Sequence, residues 1–133
     1  MGRAYDFILE MTAGGGTNIN DALLKALEIA KLVKEQQEID IKTEQMIIFL
    51  SDGEASSGVI DSEAIKKNVR DANEILHVPI YGLAFGAGAD FDLIKDISDE
   101  NDGFAQRIYD SGNSFEQLED FYYQISGILV LLT

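Results

Sequence analysis

Residues Met46-Ile47-Ile48-Phe49-Leu50 form an unbroken apolar run that passes directly into Ser51-Asp52-Gly53-Glu54. A short apolar run without alternation, closed by turn residues, predicts a strand buried on both faces. The sequence after it reads helix, strand, helix, so the strand is expected in a parallel sheet covered on both sides. Ligands of such open sheets bind beyond the carboxyl ends of the strands, near the point where strand order reverses. Asp52 falls at that end, which makes it the leading candidate for a functional residue.

The flanking segments can be read around this strand. Ala4 to Met11 carries apolar residues consistent with the end of a helix, stopped by Thr12-Ala13-Gly14-Gly15-Gly16. A second helix should start near Thr17-Asn18, with Asn18 as its cap and Asp21 in the first turn complementing the dipole. Ile19, Leu23, Ala26, Leu27, Ala30 and Val33 keep helical spacing, which fades in the polar run Lys34 to Glu38. Ile39 to Gln45 reads as a charged connector. Beyond the loop Ala55-Ser56-Ser57-Gly58, Asp61 or Ser62 can cap a helix whose stripe is Ile65, Val69, Ala72 and Leu76. Val78 to Phe85 is a second strand, with Pro79 tolerable at its start. Gly86 to Asp90 turns into a short helix bearing Phe91, Ile94 and Ile97, ended by Asn101-Asp102-Gly103. Phe104 to Tyr109 is a third strand. Ser114 to Gln117 has the form of a capping box opening a last helix, with Phe115, Leu118, Phe121, Tyr122, Ile125 and Leu129 on one side.

Composition narrows the function classes. The chain has 133 residues, enough for one domain that buries about two-thirds of its unfolded surface. Ten Lys and Arg stand against 24 Asp and Glu, a net charge of -14. Such a surface repels phosphate backbones and anionic membranes, so no nucleic acid and no membrane insertion is expected, whereas divalent cations and basic surfaces are attracted. An acidic surface also simply keeps a protein in solution. The absence of cysteine excludes disulfides, thiol catalysis and cysteine-ligated zinc. No apolar run reaches the length of a membrane span, and Met1-Gly2-Arg3 does not open a signal peptide.

Few residues invite chemistry. Gly14-Gly15-Gly16-Thr17 lacks the lysine and spacing of phosphate-binding loops. His77, the single histidine, is expected to hydrogen-bond the last carbonyls of a helix or favour its dipole rather than to catalyse. Asp96, Asp99, Glu100 and Asp102 read as a solvated acidic helix end before they read as a weak cation site. No nucleophile or general base accompanies Asp52, so an enzyme is not expected. Thr17 at a helix start and Asp52 after the buried strand do form a pattern. A hydroxyl and a carboxylate on adjacent loops are hard oxygen donors suited to Mg²⁺, Ca²⁺ or Mn²⁺, with the rest of the shell left to water or other residues.

Gly15-Gly16-Thr17-Asn18-Ile19-Asn20-Asp21-Ala22-Leu23 and Ile47-Ile48-Phe49-Leu50-Ser51-Asp52-Gly53 resemble the von Willebrand factor type A domain. Tyr81 to Gly86, Gly103 to Tyr109 and Gln117 to Tyr122 are similar to the inter-alpha-trypsin inhibitor heavy chains within that family. The resemblance implies an α/β fold, a doubly wound, mostly parallel sheet with helices on both faces, carrying a metal-ion-dependent adhesion site. It implies that Thr17 and Asp52 are metal ligands. It implies an extracellular, secreted protein associated with matrix or hyaluronan, whose protein ligand offers an acidic group. The D-x-S-x-S ligand motif of the family occurs nowhere in this sequence. Residues 1–133 are therefore expected to be a single, partial domain, amino-terminally truncated, with half of the family's strands and with Mg²⁺ or Ca²⁺ held weakly or incompletely.

Two function classes stay open at this point. One is a metal-dependent adhesion or protein-binding module. The other is a structural or interaction piece with a lapsed metal site, acting through the sheet edge that a missing neighbour would leave along Met46 to Leu50. An unpaired edge of that kind is a template for pairing with another chain, so self-association through this strand is expected.

Overall fold

A computed structural model of the chain describes residues 3, 6, 9–11, 14–36, 44–110 and 112–132, the side chains of 128–132 excepted. Much of the predicted helix from Ala4 to Met11 lies outside the described residues; of it, Asp6, Leu9 and Glu10 are helical and Met11 is not, and Arg3 before it is helical too. Of the connector from Ile39 to Gln45, residues 39–43 also lie outside them. The first element described throughout is α1, Ile19–Gln36, followed by β1 (Ile47–Ser51), α2 (Ser62–Asn73), β2 (Ile80–Phe85), α3 (Phe91–Glu100), β3 (Ala105–Ile108) and α4 (Ser114–Leu132).

The three described strands are parallel and lie in the order β1-β2-β3. Ile47 pairs in register with Ile80 and Ser51 with Ala84, while Gly82 pairs with Ala105 and Phe85 with Ile108. Parallel neighbours need crossover connections, and α2 and α3 supply them. Both lie on the same face, as successive crossovers of one hand along a sheet require.

Period-2 alternation in the strands decides which helix meets which face. Ile80 packs with Ile19, Leu23 and Leu27 of α1, Ile65 and Val69 of α2, and Leu93 and Ile97 of α3. Tyr81 and Leu83 point the other way and meet Phe121 and Ile125 of α4, together with Ile108. Edge-to-face contacts run from Tyr81 to Phe104 at 5.1 Å and from Phe104 to Phe121 at 5.5 Å between ring centroids, fastening α4 to the sheet. Helices thus cover both faces, and the doubly wound architecture expected from the sequence is the observed one.

Local chemistry sets the helix ends. Asn18 accepts a hydrogen bond from the Asp21 N–H at 3.1 Å, Asp61 from Ala64 at 2.9 Å and Asp90 from Leu93 at 3.0 Å. Of the two caps proposed for α2, Asp61 is the one used. Ser114 is the first residue of α4 rather than its cap, so the expected capping box does not form. The Gln117 carboxamide instead accepts from the Tyr109 N–H at 3.0 Å and donates to Asn113 Oδ1 at 3.1 Å.

The α2 stripe also differs from expectation: Ala72 is exposed and Asn73 is buried in its place. Asn73 donates to the Val78 carbonyl and to Asn101 Oδ1, and accepts from the Val78 N–H, each at 2.9 Å. Asn101 in turn donates to the Ile97 carbonyl at 2.7 Å, and its own carbonyl accepts from Ile80 at 3.0 Å. These amides tie the amino-terminal end of β2 to α2 and α3. His77 sits beside them with φ 51, and its backbone N–H, not its imidazole, reaches the Asn73 carbonyl at 2.9 Å.

Two glycines mark close approaches. A Cβ on Gly82 would come 2.3 Å from Ile94 Cγ2, and one on Gly103 would come 1.9 Å from the Ile80 carbonyl oxygen. Only glycine lets α3 and its following turn sit this near β2.

The expectation that Met46 to Leu50 is buried on both faces is corrected. Among the described strands β1 is an edge, and Ile48 and Leu50 are 47% and 55% exposed. Ile47 and Phe49 pack against the α1–α3 side, while Ile48 and Leu50 line an open apolar cleft of about 340 Å³ with Leu83, Phe121, Tyr122 and Ile125. Among the described residues, β1 is the exposed edge expected on the strength of the family resemblance.

Candidate functional site

The carboxyl ends of the described strands carry the β1–α2, β2–α3 and β3–α4 loops, and the segment before α1 is bonded to the β1–α2 loop at the same end. Parallel strands point the same way, so the three loops gather at one end of the sheet. Thr17 belongs to the segment before α1 and Asp52 to the β1–α2 loop.

The structure brings the two loops together. Thr17 Oγ1 lies 3.6 Å from the point a Cβ on Gly53 would occupy, next to Asp52 in the chain. The Thr17 N–H donates to Ser56 Oγ at 2.8 Å, and the Thr17 carbonyl accepts from Ser56 and Ser57 at 2.9 and 3.2 Å. Gly58, with φ 67, lies against the capping amide of Asn18, whose atoms come within 2.6 Å of the position of a Cβ there. The β2–α3 loop closes on the β1–α2 loop from the other side: a Cβ on Gly88 would be 3.2 Å from the Asp52 carbonyl oxygen. Glycine at position 58 is therefore a packing requirement of this end of the molecule, and position 88 is tight against backbone, whereas a Cβ at position 53 would make only an ordinary contact.

Asp52 itself is exposed, and Glu54 beside it is too. Ser51 is buried, with its hydroxyl 3.1 Å from the Gly53 carbonyl and 3.4 Å from the Gly53 nitrogen. That local turn occupies the Ser51 hydroxyl and sets the direction in which the chain leaves β1. Asp21, in the first turn of α1, accepts from Asn18 at 2.7 Å and Asn20 at 3.0 Å, and these bonds, that from Asn20 foremost, hold its carboxyl below the usual range.

In chemistry, the hydroxyl of Thr17 and the carboxylate of Asp52 suit a hard divalent cation. Among the described residues no group of three or more His, Cys, Asp or Glu side chains gathers to hold one. Thr17 and Asp52 supply one hydroxyl and one carboxylate, and any further donors to an ion there would have to be water or other groups. The second acidic cluster resolves into ion pairs: Asp96 with Lys66 at 3.0 Å, Glu100 with Arg70 at 3.2 Å, and Asp99 with Lys95. The solvated acidic helix end expected from the sequence is thus, at Asp96, Asp99 and Glu100, an ion-paired surface.

Sequence reasoning passed over Ser56, Gly58 and Gly88. The first two stood in a run taken only as a loop, and a serine pair closed by glycine beside a candidate ligand was the available signal. Gly88 had none, because its role comes from contact with a residue 36 positions away.

Comparisons with known proteins agree with the fold. The von Willebrand factor type A domain model matches residues 3–124. The chain is 36% identical to inter-alpha-trypsin inhibitor heavy chain H1 of Mesocricetus auratus over 96% of its own length and 14% of the relative's. It is 37% identical to heavy chain H2 of Homo sapiens, over 96% of its own length and 13% of the relative's, and 35% identical to heavy chain H4 of Sus scrofa, over 97% and 14%. The chain therefore spans about one-seventh of the length of the curated relatives it matches. With a family match over most of its length and the parallel, helix-covered sheet described above, the chain belongs to the von Willebrand factor type A domain family.

Proposed function

We propose that this chain is a protein-binding module that engages an acidic group of its partner, or an extracellular matrix component, through a divalent cation held weakly by Thr17 and Asp52. The observation that carries the reading is the approach of the Thr17 hydroxyl to the Asp52–Gly53 turn, 3.6 Å from the site of a Gly53 Cβ. Mg²⁺ and Ca²⁺ both prefer such oxygen donors, and Mg²⁺ in particular keeps several waters when few protein ligands are offered. A water on that ion is exchangeable for a carboxylate of the partner. The setting implied by the family is extracellular. Binding, not catalysis, is the task.

Titration calorimetry with Mg²⁺ and Ca²⁺ tests the metal. Weak binding that disappears in Asp52→Ala, with the fold intact by circular dichroism, is the expected result. A tight site, or one indifferent to Asp52→Ala, would overturn it.

A second reading rests on a different observation, the exposed β1 edge beside the apolar cleft. In that reading the metal is dispensable and the chain associates through Met46 to Leu50. Association insensitive to EDTA separates it from the first.

A further inference from the structure

Thr17 lies outside α1, which begins at Ile19, so no helical hydrogen bond fixes its position. What fixes it is the opposite loop. Ser56 contacts Thr17 twice in reciprocal fashion: its hydroxyl accepts from the Thr17 N–H at 2.8 Å, and its own N–H donates to the Thr17 carbonyl at 2.9 Å. The loops are also in steric contact on the amino-terminal side, where a Cβ on Gly16 would stand 3.0 Å from Ser56 Oγ and from Ser57 Cβ. Ser56 and Asp52 share the β1–α2 loop, so the clamp ties the Thr17 backbone to the loop that carries Asp52.

We infer that Ser56 is a positioning residue, whose hydroxyl holds Thr17 in register with Asp52 and thereby sets the affinity of the site for a divalent cation. The inference rests on the metal reading above. Removing the hydroxyl would leave the Thr17 N–H without this acceptor, while the backbone bonds from Ser56 and Ser57 to the Thr17 carbonyl remain. Thr17 would loosen without detaching. Partners that orient a metal ligand typically change affinity about 10–100-fold when removed, and an exposed, two-donor site belongs at the low end of that range.

The test uses Mn²⁺ as a paramagnetic probe of the full chain, following the broadening of the Thr17 and Gly53 amide signals. Parent, Asp52→Ala, Ser56→Ala and Ser56→Thr are titrated in parallel, with thermal melting of each. Ser56→Ala should weaken Mn²⁺ binding about tenfold and speed hydrogen exchange at the Thr17 amide, with the melting temperature little changed; Ser56→Thr should restore both. Loss of binding in Asp52→Ala with undiminished affinity in Ser56→Ala would overturn the inference alone. Undiminished affinity in Asp52→Ala would overturn the metal reading, and the inference with it. A Ser56→Ala protein whose affinity falls only in step with its melting temperature, unrescued by threonine, would reduce Ser56 to a general structural role and also overturn it.

Discussion

Replacing Ile48 with lysine should weaken self-association of this chain, and the size of the effect can be worked from the β1 edge. Full burial of an isoleucine or leucine side chain is worth roughly 1.5–3 kcal/mol. Ile48 and Leu50 are 47% and 55% exposed, so about half of that benefit is still to be gained at each. If two copies pair edge to edge, four half-exposed side chains supply roughly 3–6 kcal/mol. A few edge hydrogen bonds at about 0.5–1.5 kcal/mol each add a comparable amount. Association opposes this with at least about 4 kcal/mol of lost rigid-body freedom. The charge of -14 on each copy opposes it too, though salt confines that repulsion to about 8–10 Å. The balance favours a weak dimer that tightens as salt is raised. Ile48→Lys removes the gain at one site on each copy, roughly 1.5–3 kcal/mol in all, or about 10–100-fold in the dissociation constant. Analytical ultracentrifugation over a concentration series at low and physiological salt reads this directly. A cooperative monomer at high concentration and physiological salt would refute the reasoning, as would an Ile48→Lys chain that sediments like the parent.

Three further outcomes follow from the interior and the helix ends. Asn73→Ala should cost about 3–5 kcal/mol in urea unfolding, because it strands the Val78 N–H, the Val78 carbonyl and Asn101 Oδ1 in a buried site; a loss under 1 kcal/mol would show that water takes over these bonds. Ser98→Ala should raise the unfolding midpoint by an amount worth up to about 1 kcal/mol, since the Ser98 hydroxyl is fully buried and has no partner among the described residues. A clear loss of stability there would count against an unsatisfied hydroxyl. Asp21, whose carboxyl is held below its usual value of 3.8 by Asn20 and Asn18, contributes stability that is present above that value and lost as pH falls through its lower folded value. Acid titration of stability should therefore be less steep in Asp21→Asn at the acid limb, and identical curves would count against it.

How far the sequence alone reached is instructive at particular residues. Element order, parallel pairing and the caps at Asn18 and Asp61 were legible because each rests on local chemistry or on periodicity within one segment. Ile48 and Leu50 show the limit. Their apolarity predicts burial, but burial depends on neighbours that the run itself does not encode. Ala72 and Asn73 fail for a related reason: an amide reads as polar until its three partners, contributed by Val78 and Asn101, are assembled around it. Phe115 and Tyr122 were read on one side of α4 with Leu118, Phe121 and Ile125, yet both are largely exposed, because it is Leu118, Phe121 and Ile125 that pack onto the sheet. At the candidate site, Thr17 and Asp52 could be named from their places beside a helix start and a strand end. The clamp between them could not, since it spans 39 positions and uses a serine that any surface loop could carry.

The amide ties around Asn73 and Asn101 make the two ends of the sheet unequal in how readily they open. β2 is bonded to strands on both sides, its first residues are anchored by Asn101, and α3 is pressed onto it at Gly82. Native-state hydrogen exchange should find the slowest amides there, in a unit running from Asn73 to Ile108, with β1 and the loops around Thr17 and Ser56 released in earlier, cheaper openings. A ligand seated at the carboxyl end would then be felt first as slower exchange in that outer layer, at residues that never touch it, while the inner unit reports nothing.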